Sequence, residues 1–185
     1  MVRKLLLAAL VAVTGSLAIA AELKSGPQTG EKLPGPFHPL NINGEDAGKK
    51  ACLYCKNGEN PVAMVFARTA DCPGTAKLIA KLEEVTAANA KSEMGSFVVF
   101  LTDDDKAGDK LKTMAEKAKL KHVVLAVDTP AGPNKYNVAK DADITVVLYN
   151  ERKVAANHTF AQGKITDKDI EMIAGEVSKI IPAKK

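Results

Sequence analysis

Four short stretches of the chain are almost wholly apolar, and this pattern restricts the fold more than any other feature. They are Val62-Ala-Met-Val-Phe66, Ser96-Phe-Val-Val-Phe-Leu101, His122–Val127 and Ile144–Tyr149. A strand with one wet face alternates apolar and polar residues, so continuous runs of this length predict strands buried on both faces. Between them the period changes. Residues 74–90 carry Leu78, Ile79, Leu82, Val85 and Thr86 at helical spacing, and 107–120 carry Leu111, Met114, Ala115, Ala118 and Leu120. A further strand at Lys153–Phe160 follows Ile144–Tyr149 after Asn150-Glu151-Arg152, a connection short enough for a hairpin. The last helix starts at Thr166, an N-cap with Asp169 three residues on, and runs through Ile170, Ile173, Val177 and Ile180 to Pro182. The order β-α-β-α-β-β-β-α predicts an α/β fold. Its strands separated by helices are parallel with right-handed crossovers, and its closing hairpin is antiparallel.

The N-terminus constrains the compartment. Arg3 and Lys4 precede the apolar run Leu5–Val13 and the small-x-small ending Ala18-Ile-Ala20, the three parts of a secretory signal peptide over residues 1–20. The run is too short to span a bilayer comfortably, so stable membrane insertion is not expected after cleavage and the mature chain is expected to be exported. Residues 21–36 are rich in Gly, Pro and Lys and read as a flexible lead-in; the domain proper is placed at 37–182. Phe37–Ile42 is expected to be extended, with a turn at Asn43-Gly44. The formal charge is +4, and loss of Arg3 and Lys4 halves it. With aromatics at 4% and no Trp, this is neither a polyanion-binding nor a base-stacking surface, so no nucleic-acid partner is expected. No phosphate loop, serine triad or paired-carboxylate motif is present, and no cofactor is called for.

The chemistry rests on three cysteines. Cys52-Leu-Tyr-Cys55 has the spacing of a local disulfide, a redox dithiol or half of a zinc site. Haem attachment fails because Lys56 follows Cys55 where His is needed. His38, His122 and His158 show no partnered spacing that would complete a metal site. Cys72 stands in Asp71-Cys-Pro-Gly-Thr75, at the opening of a helix. A helix N-terminus favours the thiolate, because partial positive charge and free N–H groups face it, and Pro73 at the first helical position wastes no donor. Arg68 is expected to add cationic stabilisation and Asp71 to oppose it. Two readings stand side by side: a nucleophile for disulfide exchange or peroxide reduction, and an inert relic thiol.

The order of elements, with a cysteine just after the first core strand, resembles the thioredoxin fold and, within it, the redoxin branch of exported thioredoxin-like and peroxiredoxin-like proteins. The resemblance is carried by Val62–Ala67, Asp71-Cys72-Pro73-Gly74-Thr75, Val124–Asp128, Tyr136-Asn-Val138, Ile144–Tyr149 and Gly163, and it spans about 37–181. Asn43–Arg68 also looks like a subgroup of secreted redoxin-like proteins. The resemblance implies a thioredoxin-like mixed sheet with flanking helices and a thiol–disulfide partner protein. Cys72 would be the attacking thiol, flanked by Thr75 and Arg68, with Cys52 and Cys55 as its resolving pair if loop 44–60 folds over the helix start. The alternative is a non-catalytic module stapled by a Cys52–Cys55 disulfide. Three positions depart from the family: Thr75 replaces the second active-site cysteine, Ile144 the cis-proline of thioredoxins, and Val65 the proline that peroxiredoxins place seven residues before their cysteine. Thr69 does match the peroxiredoxin threonine three residues before it.

The remaining motifs read blandly. Asp103-Asp-Asp105 is expected to cap a helix, since a calcium loop would need Glu where Met114 stands. Lys106, Lys110, Lys112, Lys117, Lys119 and Lys121 make a solvated face, His158 a hydrogen-bonded surface residue, and Asn157-His-Thr159 a chance sequon.

Overall fold

The computed structural model describes residues 23–182; the expected signal peptide lies outside them. Six strands form one sheet: β1 (Leu40–Asn41), β2 (Val62–Ala67), β3 (Gly95–Leu101), β4 (Val123–Asp128), β5 (Ile144–Asn150) and β6 (Lys153–Phe160). The helices are α1 (Leu53–Asn57), α2 (Pro73–Ala88), α3 (Ala107–Lys117) and α4 (Asp167–Glu176). Across the sheet the order is β1-β4-β3-β2-β5-β6. β2 and β3 pair in parallel from Val62↔Gly95 to Ala67↔Phe100, and β3 and β4 are also parallel. β5 runs antiparallel to β2 and closes with β6 as a hairpin. The expected mixed sheet, its parallel part and its antiparallel edge are all present.

Both faces of the central strands are covered, which is why their sequences do not alternate. Two successive right-handed crossovers step the same way, from β2 to β3 to β4, so α2 and α3 lie on one face. α4 joins them there: Leu78, Ile79, Leu82, Leu111, Ala115, Ile170 and Ile173 pack with Ala63, Val65, Val98, Phe100, Leu125 and Val146. The opposite face carries Met64, Phe66, Phe97, Val99 and Tyr149, covered by Leu33, Phe37, α1's Leu53 and Tyr54, and Tyr136. Phe37 meets Tyr136 edge-on at 5.0 Å between ring centroids, a geometry that adds about 1 kcal/mol beyond area burial. Burial pushes the Tyr136 and Tyr149 phenols well above their ordinary pKa.

The first cover corrects an expectation. Described residues of the segment read as a flexible lead-in, from Leu23 to Pro36, are strapped to the sheet. Gly30 N–H donates to Val154 O at 2.8 Å, and Val154 N–H donates to Glu31 O at 2.9 Å. Ser25 is 1% exposed, and its hydroxyl accepts from Ala139 N–H and from Thr145 Oγ1. The Gly and Pro residues give the strap its turns without making it loose. α1 is also additional to the sequence expectation; at five residues it is too short to show a period.

Side chains fix the remaining elements. Asn43, expected in a turn, donates through Nδ2 to Val123 O and accepts from Leu125 N–H at 2.6 Å, extending the edge of β4. Glu83 of α2 accepts from the N–H groups of Lys121, His122 and Val123 and holds the start of β4. Thr166 and Asp169 form the reciprocal capping box that starts α4.

Candidate functional site

Cys72 stands where the chain leaves β2, passes through Arg68–Asp71 and enters α2. It is the N-cap of α2, with φ −80° and ψ 125°, its side chain making no capping hydrogen bond, and Pro73 follows at the first helical position. The thiol is free and half-buried. The helix N-terminus is thus placed as the sequence predicts. Ile165, from the loop before α4, lies against the first turn of α2: a Cβ at Gly74 would overlap Ile165 Cγ2 and stand 3.8 Å from Cys72 Sγ. The chain permits that approach only because residue 74 is glycine.

The two neighbours expected to serve the sulfur are occupied elsewhere. Arg68 donates through Nε to Ala142 O at 3.0 Å and through its two terminal nitrogens to Pro130 O at 2.8 Å and Ala139 O at 3.1 Å. Its backbone N–H donates to Asp143 O at 2.9 Å. Arg68 is therefore a clamp between β2 and the loop 129–143. Thr75 is 1% exposed, and its hydroxyl donates to Thr69 O at 3.0 Å, tying the loop before Cys72 to the helix after it. This too is a positioning contact. At the site of the family's cis-proline, Ile144 begins β5 and packs in the core, and no cis peptide occurs among the described residues.

Cys52 and Cys55 are bonded to each other, with their Cα atoms 5.2 Å apart. Cys52 caps α1 and packs against the face of the sheet that carries Phe66 and Tyr149. At the other end of α1, Asn57 sits over Gly95 at the start of β3. Cys72 opens a helix of the opposite face, near the ends of β2 and β3. The structure therefore does not bring the pair to Cys72: loop 44–60 covers the wrong layer to resolve it. With both sulfurs in a disulfide, neither is a thiolate for zinc.

Asp104 accepts from Lys106 N–H at 2.9 Å and pairs with Lys110 Nζ at 2.9 Å, so the acidic run makes the turn into α3; the expected cap is not formed, since the N-cap is Lys106 and no side chain caps it. These contacts, Lys110 first, hold the Asp104 carboxyl below the usual carboxylate range. His158 Nε2 meets Glu176 Oε2 of α4 at 2.8 Å. The sequon asparagine is used internally, Asn157 Nδ2 donating to Ser25 O and Pro27 O. Sequence reasoning missed a cavity of about 160 Å³ beyond the ends of β2 and β3, whose lining includes Arg68, Asp71, Phe100, Asp104, Lys110 and Leu111. No local signal marks it, because its walls come from three separate segments.

No family model matches the sequence, and no curated protein matches it. Solved structures do. A thiol peroxidase from Chromobacterium violaceum aligns over 83% of this chain and 88% of its own, with TM-score 0.60 at 12% identity. The peroxidoxin BcpB of Mycobacterium tuberculosis aligns over 86% and 99%, with TM-score 0.58 at 15% identity. A thiol:disulfide interchange protein from a Bacteroides species aligns over 88% and 93%, with TM-score 0.57 at 16% identity. Likeness at such low identity speaks for architecture and not for chemistry: the chain has the thioredoxin-like fold of the redoxins.

Proposed function

We propose that this chain is an exported thiol-dependent redox protein that works through Cys72 alone and is regenerated by an external thiol. The observation that carries the reading is the division of its three cysteines. Two are closed into a staple on one layer, and the third is free, half-exposed and at the start of α2 where β2 ends. In this role the Cys72 thiolate attacks a disulfide sulfur, forming a mixed disulfide as the S–S bond breaks and the other sulfur leaves as a thiolate, or takes the terminal oxygen of a peroxide, becoming a sulfenic acid as the O–O bond breaks and an alcohol or water leaves. A partner thiol condenses with the sulfenic acid, releasing water, and in either branch a further thiol frees Cys72 from the mixed disulfide. Export is supported by the leader pattern of residues 1–20. Among the described residues no helix is long and apolar enough to cross a membrane.

A second reading has its own support. Arg68 and Thr75 both donate to backbone carbonyls and not to the sulfur, as in a module that keeps the shape and has lost the chemistry. One experiment separates the two. Alkylation of Cys72 is timed at neutral pH in native and urea-unfolded protein, with mass mapping of the modified residue. Faster alkylation in the native state, together with loss of disulfide or peroxide turnover in Cys72→Ser but not in Cys52→Ser, supports the redox reading. A native Cys72 slower than the unfolded one, with no turnover, leaves the binding module.

A further inference from the structure

The Cys52–Cys55 bond does little to hold its own segment. A cross-link of sequence separation 3 closes a short ring and removes little freedom from the unfolded chain. Other contacts fix α1 without it. Leu53 and Tyr54 are buried against the sheet, Arg152 lies over the Tyr54 ring at 5.2 Å, and Lys56 pairs with Glu45 at 2.7 Å. Asn57 Nδ2 donates to Leu53 O at 2.7 Å. Opening the bond therefore leaves residues 52 and 55 side by side, ready to close again.

The two cysteines are also unlike. Cys55 is exposed, whereas Cys52 is half-buried and packs against the layer of Phe66 and Tyr149. The Cys55 N–H donates to Cys52 Sγ at 3.0 Å. Such a bond strengthens as its acceptor gains charge, so it favours a thiolate at Cys52. Access selects Cys55 as the sulfur attacked, and the hydrogen bond selects Cys52 as the sulfur that leaves.

We infer that Cys52–Cys55 is a second redox site, separate from Cys72, that exchanges two electrons with a molecule carrying two neighbouring thiols. It goes beyond the Cys72 reading and needs nothing from it. One thiol of that molecule, its proton lost to solvent, attacks Cys55 Sγ. The new S–S bond forms as the Cys52–Cys55 bond breaks, and Cys52 leaves with the electron pair as a thiolate. Cys52 stays within reach to reverse this step, so a molecule with a single thiol is expelled. A second thiol on the same molecule competes with Cys52 because it too is tethered. Deprotonated in turn, it attacks the sulfur joined to Cys55, closes the partner's disulfide and releases Cys55 as a thiolate; both protein thiolates then take protons from solvent. The dithiol is oxidised and the pair reduced, and the reverse steps reoxidise the pair with a disulfide as oxidant.

The test uses the mature chain with dithiothreitol and 2-mercaptoethanol at equal thiolate concentration, followed by acid quench, alkylation and mass mapping of each cysteine. Dithiothreitol should reduce the pair about tenfold faster in native protein than in urea-unfolded chain, the worth of one hydrogen bond to a charged leaving sulfur. 2-Mercaptoethanol should leave most of the pair closed, its trapped adduct lying on Cys55. Native reduction no faster than unfolded, or an adduct on Cys52, overturns the site and leaves a staple. Equal reduction by the two probes overturns the choice of a dithiol. Cys72 is mapped separately in the same samples, so an inert Cys72 removes the thiol cycle proposed for it without touching this result, and an inert pair leaves that cycle standing.

Discussion

Replacing Arg68 by Ala tests whether this residue holds the fold or serves the sulfur. Its guanidinium makes three bonds to carbonyls of the loop 129–143, at 2.8 to 3.1 Å. A hydrogen bond to a charged group contributes about 1.5–3 kcal/mol when buried. The bonds to Ala142 O and Ala139 O are partly buried and keep much of that, whereas the bond to Pro130 O is exposed and contributes little. Water entering after truncation satisfies some of the freed carbonyls. The expected loss is about 3 kcal/mol, a large share of the ~5–15 kcal/mol that a domain has. In urea, with a slope of about 1–3 kcal/mol per molar, the midpoint falls by about 1–3 M. Arg68→Lys keeps the charge but replaces a planar fork by a point donor, so it should recover less than half of the loss. Cys72 alkylation should stay within twofold of wild type in the folded variants. A midpoint that barely moves in Arg68→Ala while Cys72 alkylation slows would refute the clamp and restore the electrostatic role.

Three further outcomes follow from other contacts. Gly74→Ala would gain about 1 kcal/mol in an unobstructed helix, but the overlap with Ile165 should turn this into a net loss of about 1 kcal/mol. Adding Ile165→Ala should recover the helix gain, as read in a double-mutant cycle. The Cys52–Cys55 staple closes a loop of sequence separation 3, so chain entropy limits its contribution to about 2 kcal/mol; Cys52→Ser should fold, lose no more than that in urea, and leave Cys72 alkylation unchanged. The Asp169 carboxyl is held below its ordinary range by the Thr166 hydroxyl and then by the Thr166 N–H. Its folded value lies below the unfolded one, so the capping box contributes fully above about pH 4 and is lost as pH falls through the folded value. Asp169→Asn should flatten the acid limb of stability against pH; an unchanged limb would mean that the box carries none of it.

Much of the fold was legible because its signals are local. β2, β3 and β5 showed as unbroken apolar runs, α2 and α3 as periodic faces, and α4 announced itself through Thr166 and Asp169. The strap was misread for a physical reason: Ser25, Gly30 and Leu33 find their partners at Thr145, Val154 and Arg152, so composition there reports turns and not mobility. The position of Cys72 could be read from Cys-Pro at a strand-to-helix junction. The meaning of its neighbours could not.

The sequence by itself determined the layers, the direction of the central strands and the placing of one cysteine at a helix start, because burial and helix geometry act over a few residues. Tertiary structure decided what the charged and thiol groups do. It sent Arg68 to carbonyls 62 to 74 residues away, put the Cys52–Cys55 pair on the far layer from Cys72, and gathered Asp71, Asp104 and Lys110 around one hollow. Those choices depend on which segments the sheet order brings together, and spacing along a chain does not encode distance across it.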